Sequence, residues 1–142
     1  MTDLVIDATK VSPLDTVEKH TGPSAVALTQ GQLCVQDATT GKIKLADASV
    51  GLAVDNWGIN ITKPRFVGDA VTIVKAGRVA LGDALGSLAF GAKIYASDTA
   101  GAMADAAGTQ ELIVGEVEAV WGSGPTPDRV LRLVRGPIVP GA

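Results

Sequence analysis

Along the chain, apolar and polar positions alternate over short stretches that are then broken by Gly, Pro or Asp. No long apolar stripe at helical spacing runs through it. Short alternating runs between turn signals predict an all-β domain, a sandwich or a small antiparallel barrel. Residues 24–29 and 32–36 read as strands meeting at Gln30-Gly31, and 42–46 follows the turn Thr39-Thr40-Gly41. A further strand is expected over 50–54. Residues 70–75 and 78–81 flank Ala76-Gly77, which reads as a tight hairpin with Gly supplying a positive φ. After 93–96 comes the longest run, 111–121, with Ile113, Gly115, Val117, Ala119 and Trp121 on one face and Glu116 and Glu118 on the other. Residues 129–135 close the barrel beyond a Gly/Pro loop at 122–127.

Ala102–Ala107 has a helix-favouring composition. It is read as strand and loop because the chain carries an internal correspondence. One block is Gly31-Gln-Leu-Cys-Val, Asp37, Thr40-Gly41-Lys-Ile-Lys-Leu-Ala-Asp47, then Gly51 and Trp57. The second is Gly91-Ala-Lys-Ile-Tyr, Asp98, Ala100-Gly101-Ala-Met-Ala-Asp105, then Gly115 and Trp121. The offset is 60 residues at first and 64 at the tryptophans. Neither block could bury its apolar face alone, but two could close a small barrel. Residues 1–23 lie outside both blocks; their polar composition and prolines suggest an extended arm, leaving 24–136 as one barrel and 137–142 as a tail.

Length and charge narrow the function. A chain of 142 residues is one domain. A single Cys excludes an internal disulfide and a cysteine-based zinc cluster. Charged residues make up 19% of the chain, against about 25% in average proteins, so little keeps copies apart. A net charge of −3 argues against a nucleic-acid partner. The C-terminal stretch has Arg129, Arg132 and Arg135 against Asp128, which reads as a solvated or interface-rim strand. The N-terminus shows no signal-peptide pattern and no run reaches the roughly 18–20 apolar residues of a membrane span. The expectation is a soluble protein made in the cytosol.

The residues that could carry chemistry are scattered. His20 is the only histidine and sits in the arm. Cys34 lies between Leu33 and Val35, the setting of a buried, inert thiol. Asp37, Asp47, Asp69, Asp83, Asp98 and Asp105 stand singly near glycines, as turn formers do. Lys75 sits close to the expected hairpin tip but lacks the flanking pattern of a lipoyl carrier. No catalytic, cofactor-binding or metal-ligating residues are therefore expected, and no enzyme activity. Trp57, in the loop-like Asp55-Asn56-Trp57-Gly58, is the candidate subunit contact.

Several of these blocks together resemble a known family. Gly31-Gln32-Leu33-Cys34-Val35, Thr40-Gly41-Lys42-Ile43-Lys44-Leu45-Ala46-Asp47 and Gly51-Leu52-Ala53-Val54 carry the first part of the likeness. Gly68-Asp69-Ala70-Val71-Thr72-Ile73-Val74, Gly77-Arg78-Val79-Ala80-Leu81, Gly91-Ala92-Lys93-Ile94-Tyr95 and Ile113-Val114-Gly115-Glu116-Val117 carry the rest. Over roughly 25–135 the chain resembles the capsid decoration, or cement, proteins of tailed bacteriophages, departing from them at 100–107 and 122–128. That resemblance implies a small antiparallel β-barrel or β-tulip-like fold and a homotrimer on the outside of the expanded capsid, with the major capsid protein as partner and neither nucleic acid nor membrane. It carries over no catalytic residue. In this reading Leu4, Val5, Ile6, Lys10 and Val11 are the capsid contacts of an arm, residues 1–23, that is poorly ordered when free and ordered on the shell. Deleting 1–12 is expected to leave a folded trimer that no longer decorates heads. The alternatives are a phage fibre-base or receptor-binding module and a trimeric β hydrolase.

Overall fold

The computed structural model describes residues 2–49, 56–120, 128–133 and 138–140. The expected strand at 50–54, Trp121 and the loop at 122–127 lie outside the described residues. The described residues are nearly all β, with 51% in strands and 6% helical. The strands are β1 (Val11–Pro23), β2 (Leu33–Gln36), β3 (Ile43–Leu45), β4 (Trp57–Asn60) and β5 (Ala70–Leu81). They continue with β6 (Lys93–Ala96), β7 (Met103–Ala104), β8 (Gln110–Val120), β9 (Asp128–Leu133) and β10 (Ile138–Pro140). Eight of them form an antiparallel, curled half-barrel in the order β3-β2-β4-β5-β9-β8-β6-β7; β1 lies along β5 and β10 along β8. Two short 3₁₀ turns sit at Ala8–Lys10 and Gly82–Leu85.

This order reads the same from either end, which gives the internal correspondence a physical form. The hairpin β2-β3 and the hairpin β6-β7 occupy the two ends of the sheet. Each is entered and turned by glycines with positive φ, Gly31 and Gly41 in one and Gly91 and Gly101 in the other. Inside them, Cys34 faces Gly58 of β4 and Ile94 faces Gly115 of β8. Both glycines permit close backbone approach. A Cβ on Gly58 would overlap the Val74 carbonyl, and one on Gly115 the Arg132 carbonyl. The register thus sets Gly115 against Gly58 instead of Gly51, and Ile113, opposite Tyr95, takes the place that Trp57 holds opposite Val35.

The central strand departs from expectation. Residues 70–81 form one continuous strand, β5, and not a hairpin turned at Ala76-Gly77. Gly77 does have a positive φ, of 127°, but it uses it in a bulged pairing with β1, where the Asp15 carbonyl fills the space of a side chain. Strand β1 pairs antiparallel with β5 from Val11↔Leu81 to Pro23↔Ala70.

The N-terminal segment is accordingly part of the fold. Leu4, Ile6 and Val11 pack against the main apolar core. Leu4 N–H donates to the Met103 carbonyl at 2.8 Å, and Thr2 and Asp105 exchange hydrogen bonds. At the far end of β1, Ala25 N–H donates to the Ile43 carbonyl, also at 2.8 Å. Residues 2–25 therefore run as a strap from the edge of β7, along β5, to the edge of β3. These contacts lay the segment on the barrel, where the sequence suggested an arm outside it. The curl is fastened by backbone bonds between the end hairpins, Leu33 N–H to Gly101 O at 2.9 Å and Gly101 N–H to Ala46 O at 2.7 Å.

Alternation in β8 also breaks. Leu112 and Val114 are buried, and so are Gly115 and Val117, because a register shift against β6 between Ile94 and Tyr95 moves the inward face by one residue. Residues 25–29 form no strand; Ser24 alone bridges to Ile43. Buried Asn60 holds this region, donating to the Thr29 carbonyl at 3.0 Å and accepting from Thr62 N–H at 3.1 Å.

Candidate functional site

The side chains expected to meet a partner divide between interior and surface. Of the five arm residues, Leu4, Ile6 and Val11 turn to the core, while Val5 is 88% exposed. Lys10 pairs with Asp83 at 3.4 Å, a solvated contact worth little. Trp57 is 2% exposed within the main core cluster, so its ring packs inside this subunit and is not offered to a second one; burial corrects its role as a subunit contact. His20 is half-buried on β1, with Nε2 enclosed and without a hydrogen-bond partner. Burial pushes the Cys34 thiol up to about 12, as its apolar neighbours require. Lys75 is held by Glu18 at 3.0 Å.

Among the solitary aspartates, Asp37 and Asp47 act as turn formers. The backbone N–H groups of Thr40 and Thr39 and the Lys44 ammonium hold Asp37 down to about 2. Asp47 likewise accepts from Ser49 N–H at 2.9 Å, whereas Asp98 joins two segments, accepting from Thr109 N–H at 2.8 Å, eleven residues on. Among the described residues, no group of three or more His, Cys, Asp or Glu side chains is placed to hold a metal ion. No helix among them is long and apolar enough to cross a membrane.

What the fold does assemble is a surface on β1. Strands β4 and β9 pair with β5 over Ile73–Val74 and Gly77–Val79, while β1 runs its full length. Among the described residues β5 is the only strand paired with β1, which leaves β1 one open edge. The register skips two β1 residues, Leu14 and Val17, and each skip is a bulge. Those two are the exposed large apolar residues of the strand, Leu14 at 52% and Val17 at 74%. Beside them a row of charges crosses five strands in register: Asp15, Arg78, Arg132, Glu116 and Lys93. Arg78 and Arg132 face each other as like charges, and Glu118 lies 3.5 Å from one and 3.6 Å from the other. Glu116 adds a contact to Arg132 at 3.3 Å.

Sequence reasoning missed Leu14 and Val17, as it missed the exposed Phe66 and Val67 in the turn before β5. For the latter pair a signal was present, since an aromatic and a β-branched residue directly before Gly68-Asp69 lie where burial is hard to arrange. No family model, curated protein or solved structure matches the chain.

Proposed function

We propose that the protein is a structural component of a tailed-phage virion, a homotrimer that decorates the outside of the mature, expanded capsid. In this reading it bridges neighbouring capsomers and resists the pressure of packaged DNA, after synthesis in the host cytoplasm. Its partner is the major capsid protein, not nucleic acid or a membrane, and it catalyses nothing.

The observation that carries the reading is the open edge of β1 with Leu14 and Val17 extruded from it. Native proteins usually blunt a long edge with charges, prolines and bulges, and β1 has all three. Two exposed apolar residues on that same edge work against such protection, and docking on another protein explains them. The bulges interrupt the ladder near Leu14 and Val17, so contact there is through side chains, whereas the regular stretch from Lys19 to Pro23 can also accept an added strand. Three modest contacts on one trimer multiply through linkage, so none need be strong. The all-β half-barrel agrees with what the sequence resemblance implies.

Cosedimentation with purified phage heads tests this. The protein is expected on expanded heads and absent from unexpanded ones. A Leu14→Asp/Val17→Asp double variant, both positions being exposed, should stay folded and bind about tenfold or more weakly. Equal occupancy on both head forms, or full binding by the double variant, would overturn the proposal.

A further inference from the structure

The turn between β4 and β5 is braced more firmly than a simple connection requires. Asp69 accepts from the Arg65 backbone N–H at 3.0 Å and from Arg65 Nε at 3.1 Å, which lowers the pKa of its carboxyl. Fully buried Ser24 ties the turn to the strap, its Oγ accepting from Gly68 N–H and donating to the Asp69 carbonyl, both at 3.0 Å. This rigid tip presents Phe66 and Val67, about 60% exposed each, flanked by Lys63 and Arg65. Holding apolar side chains still in water brings the free molecule no benefit. It lowers the ordering cost of inserting them into a partner.

The opposite end of the molecule has the complementary form. A cleft of about 280 Å³ lies between the start of the strap and the 3₁₀ turn after β5. Its apolar wall is formed by Leu4, Val5, Ala84 and Leu88, and its rim carries Asp3, Asp83 and Asp105. Val5 is exposed there, and among the described residues that line the cleft the ionised side chains, Asp3, Asp83 and Asp105, are all acidic. Tip and cleft flank the two ends of β5, and a straight strand of twelve residues is on the order of 35–40 Å long. A molecule therefore cannot place its own tip in its own cleft.

We infer that copies of this chain assemble head to tail, the Phe66-Val67 tip of one entering the Leu4/Val5/Leu88 cleft of the next, with Lys63 and Arg65 facing Asp3, Asp83 and Asp105. Three of the seven exposed large apolar side chains among the described residues, Val5, Phe66 and Val67, are covered in this way. The contact joins two different surfaces, so it closes into a ring when the rotation between copies permits and otherwise grows as a filament. The inference rests on the self-association in the proposed function but not on head binding, and it supplies that association with its surfaces.

A mixing experiment, read by size exclusion with light scattering in the absence of heads, tests it. Wild-type protein should be larger than a monomer. Phe66→Asp and Val5→Asp should each weaken association about tenfold or more and run as folded monomers, checked by circular dichroism. An equal mixture of the two retains one intact tip and one intact cleft, and should give a dimer containing one of each. Should Val5→Asp fold poorly, Asp105→Lys serves as the cleft variant. A monomeric wild type, variants that assemble as wild type does, or a mixture that yields no mixed dimer would overturn it. Loss of head binding alone, with this pattern intact, would count against decoration and leave the head-to-tail contact standing.

Discussion

At the scale of single residues, glycines do most to specify this fold, and they do it for different physical reasons. Gly68 has a φ of 100° with nothing within 4 Å of where a Cβ would stand, so it supplies conformation alone. Gly77 has a φ of 127° and no room at all, because the Asp15 carbonyl occupies the place of a side chain. Gly68→Ala should therefore cost about 1–2 kcal/mol, the penalty for a left-handed backbone. Gly77→Ala adds displacement of β1 to that strain and should cost about 3 kcal/mol or more. Urea titration of both variants checks the order; equal losses would mean that the approach of Asp15 is readily relaxed. The same pair marks a limit of sequence reading. A glycine with positive φ serves a hairpin turn and a bulge equally well, so Ala76-Gly77 could not say which it was. The turn aspartates were legible, because an Asp accepting from N–H groups two or three residues ahead is a local arrangement.

Elements are where reading and structure part most clearly. The short hairpins were evident in sequence because each leaves a buried face, as with Leu33, Val35 and Ile43. Strand β1 left no such trace. Exposed on both faces for most of its length, it has no apolar period, and its prolines and charges are the marks of an edge strand as much as of a loose arm. Its partner residues lie 47 to 70 positions away in sequence, which no local pattern reveals. The strap arrangement makes a strong prediction about this segment. Removing residues 2–10 takes away the packing of Leu4 and Ile6 and the bond from Leu4 N–H to Met103, and leaves the edge of β7 bare. Half-buried Leu and Ile side chains contribute about 1 kcal/mol or more each, and with the lost bond the deletion should cost about 3 kcal/mol. Thermal melting should show a clear drop in midpoint. An unchanged midpoint would restore the picture of a dispensable arm.

On the scale of the whole molecule, the palindromic strand order invites the idea of two half-domains, each folding on its own. The core argues otherwise. One apolar cluster contains Leu33, Trp57 and Ile59 from the first half and Ile94, Met103 and Leu112 from the second. Each half therefore buries its apolar face mainly against the other, as a repeat too small to form its own core must. The strap adds to this interdependence, since its first residues lie on the second half's hairpin and its last on the first half's. The 60-residue offset was visible in sequence, but the mutual burial that gives it meaning was not, because a repeat pattern does not say against what each copy packs. Unfolding should accordingly be a single cooperative transition. In a Trp121→Phe background, where Trp57 is the only tryptophan, its fluorescence should change at the same urea concentration as the far-ultraviolet signal of the sheet. A fragment ending at residue 88 should lack a β-sheet spectrum by itself. Two separated transitions, or a folded fragment, would mean that the halves are independent and that the curl is held by the strap alone.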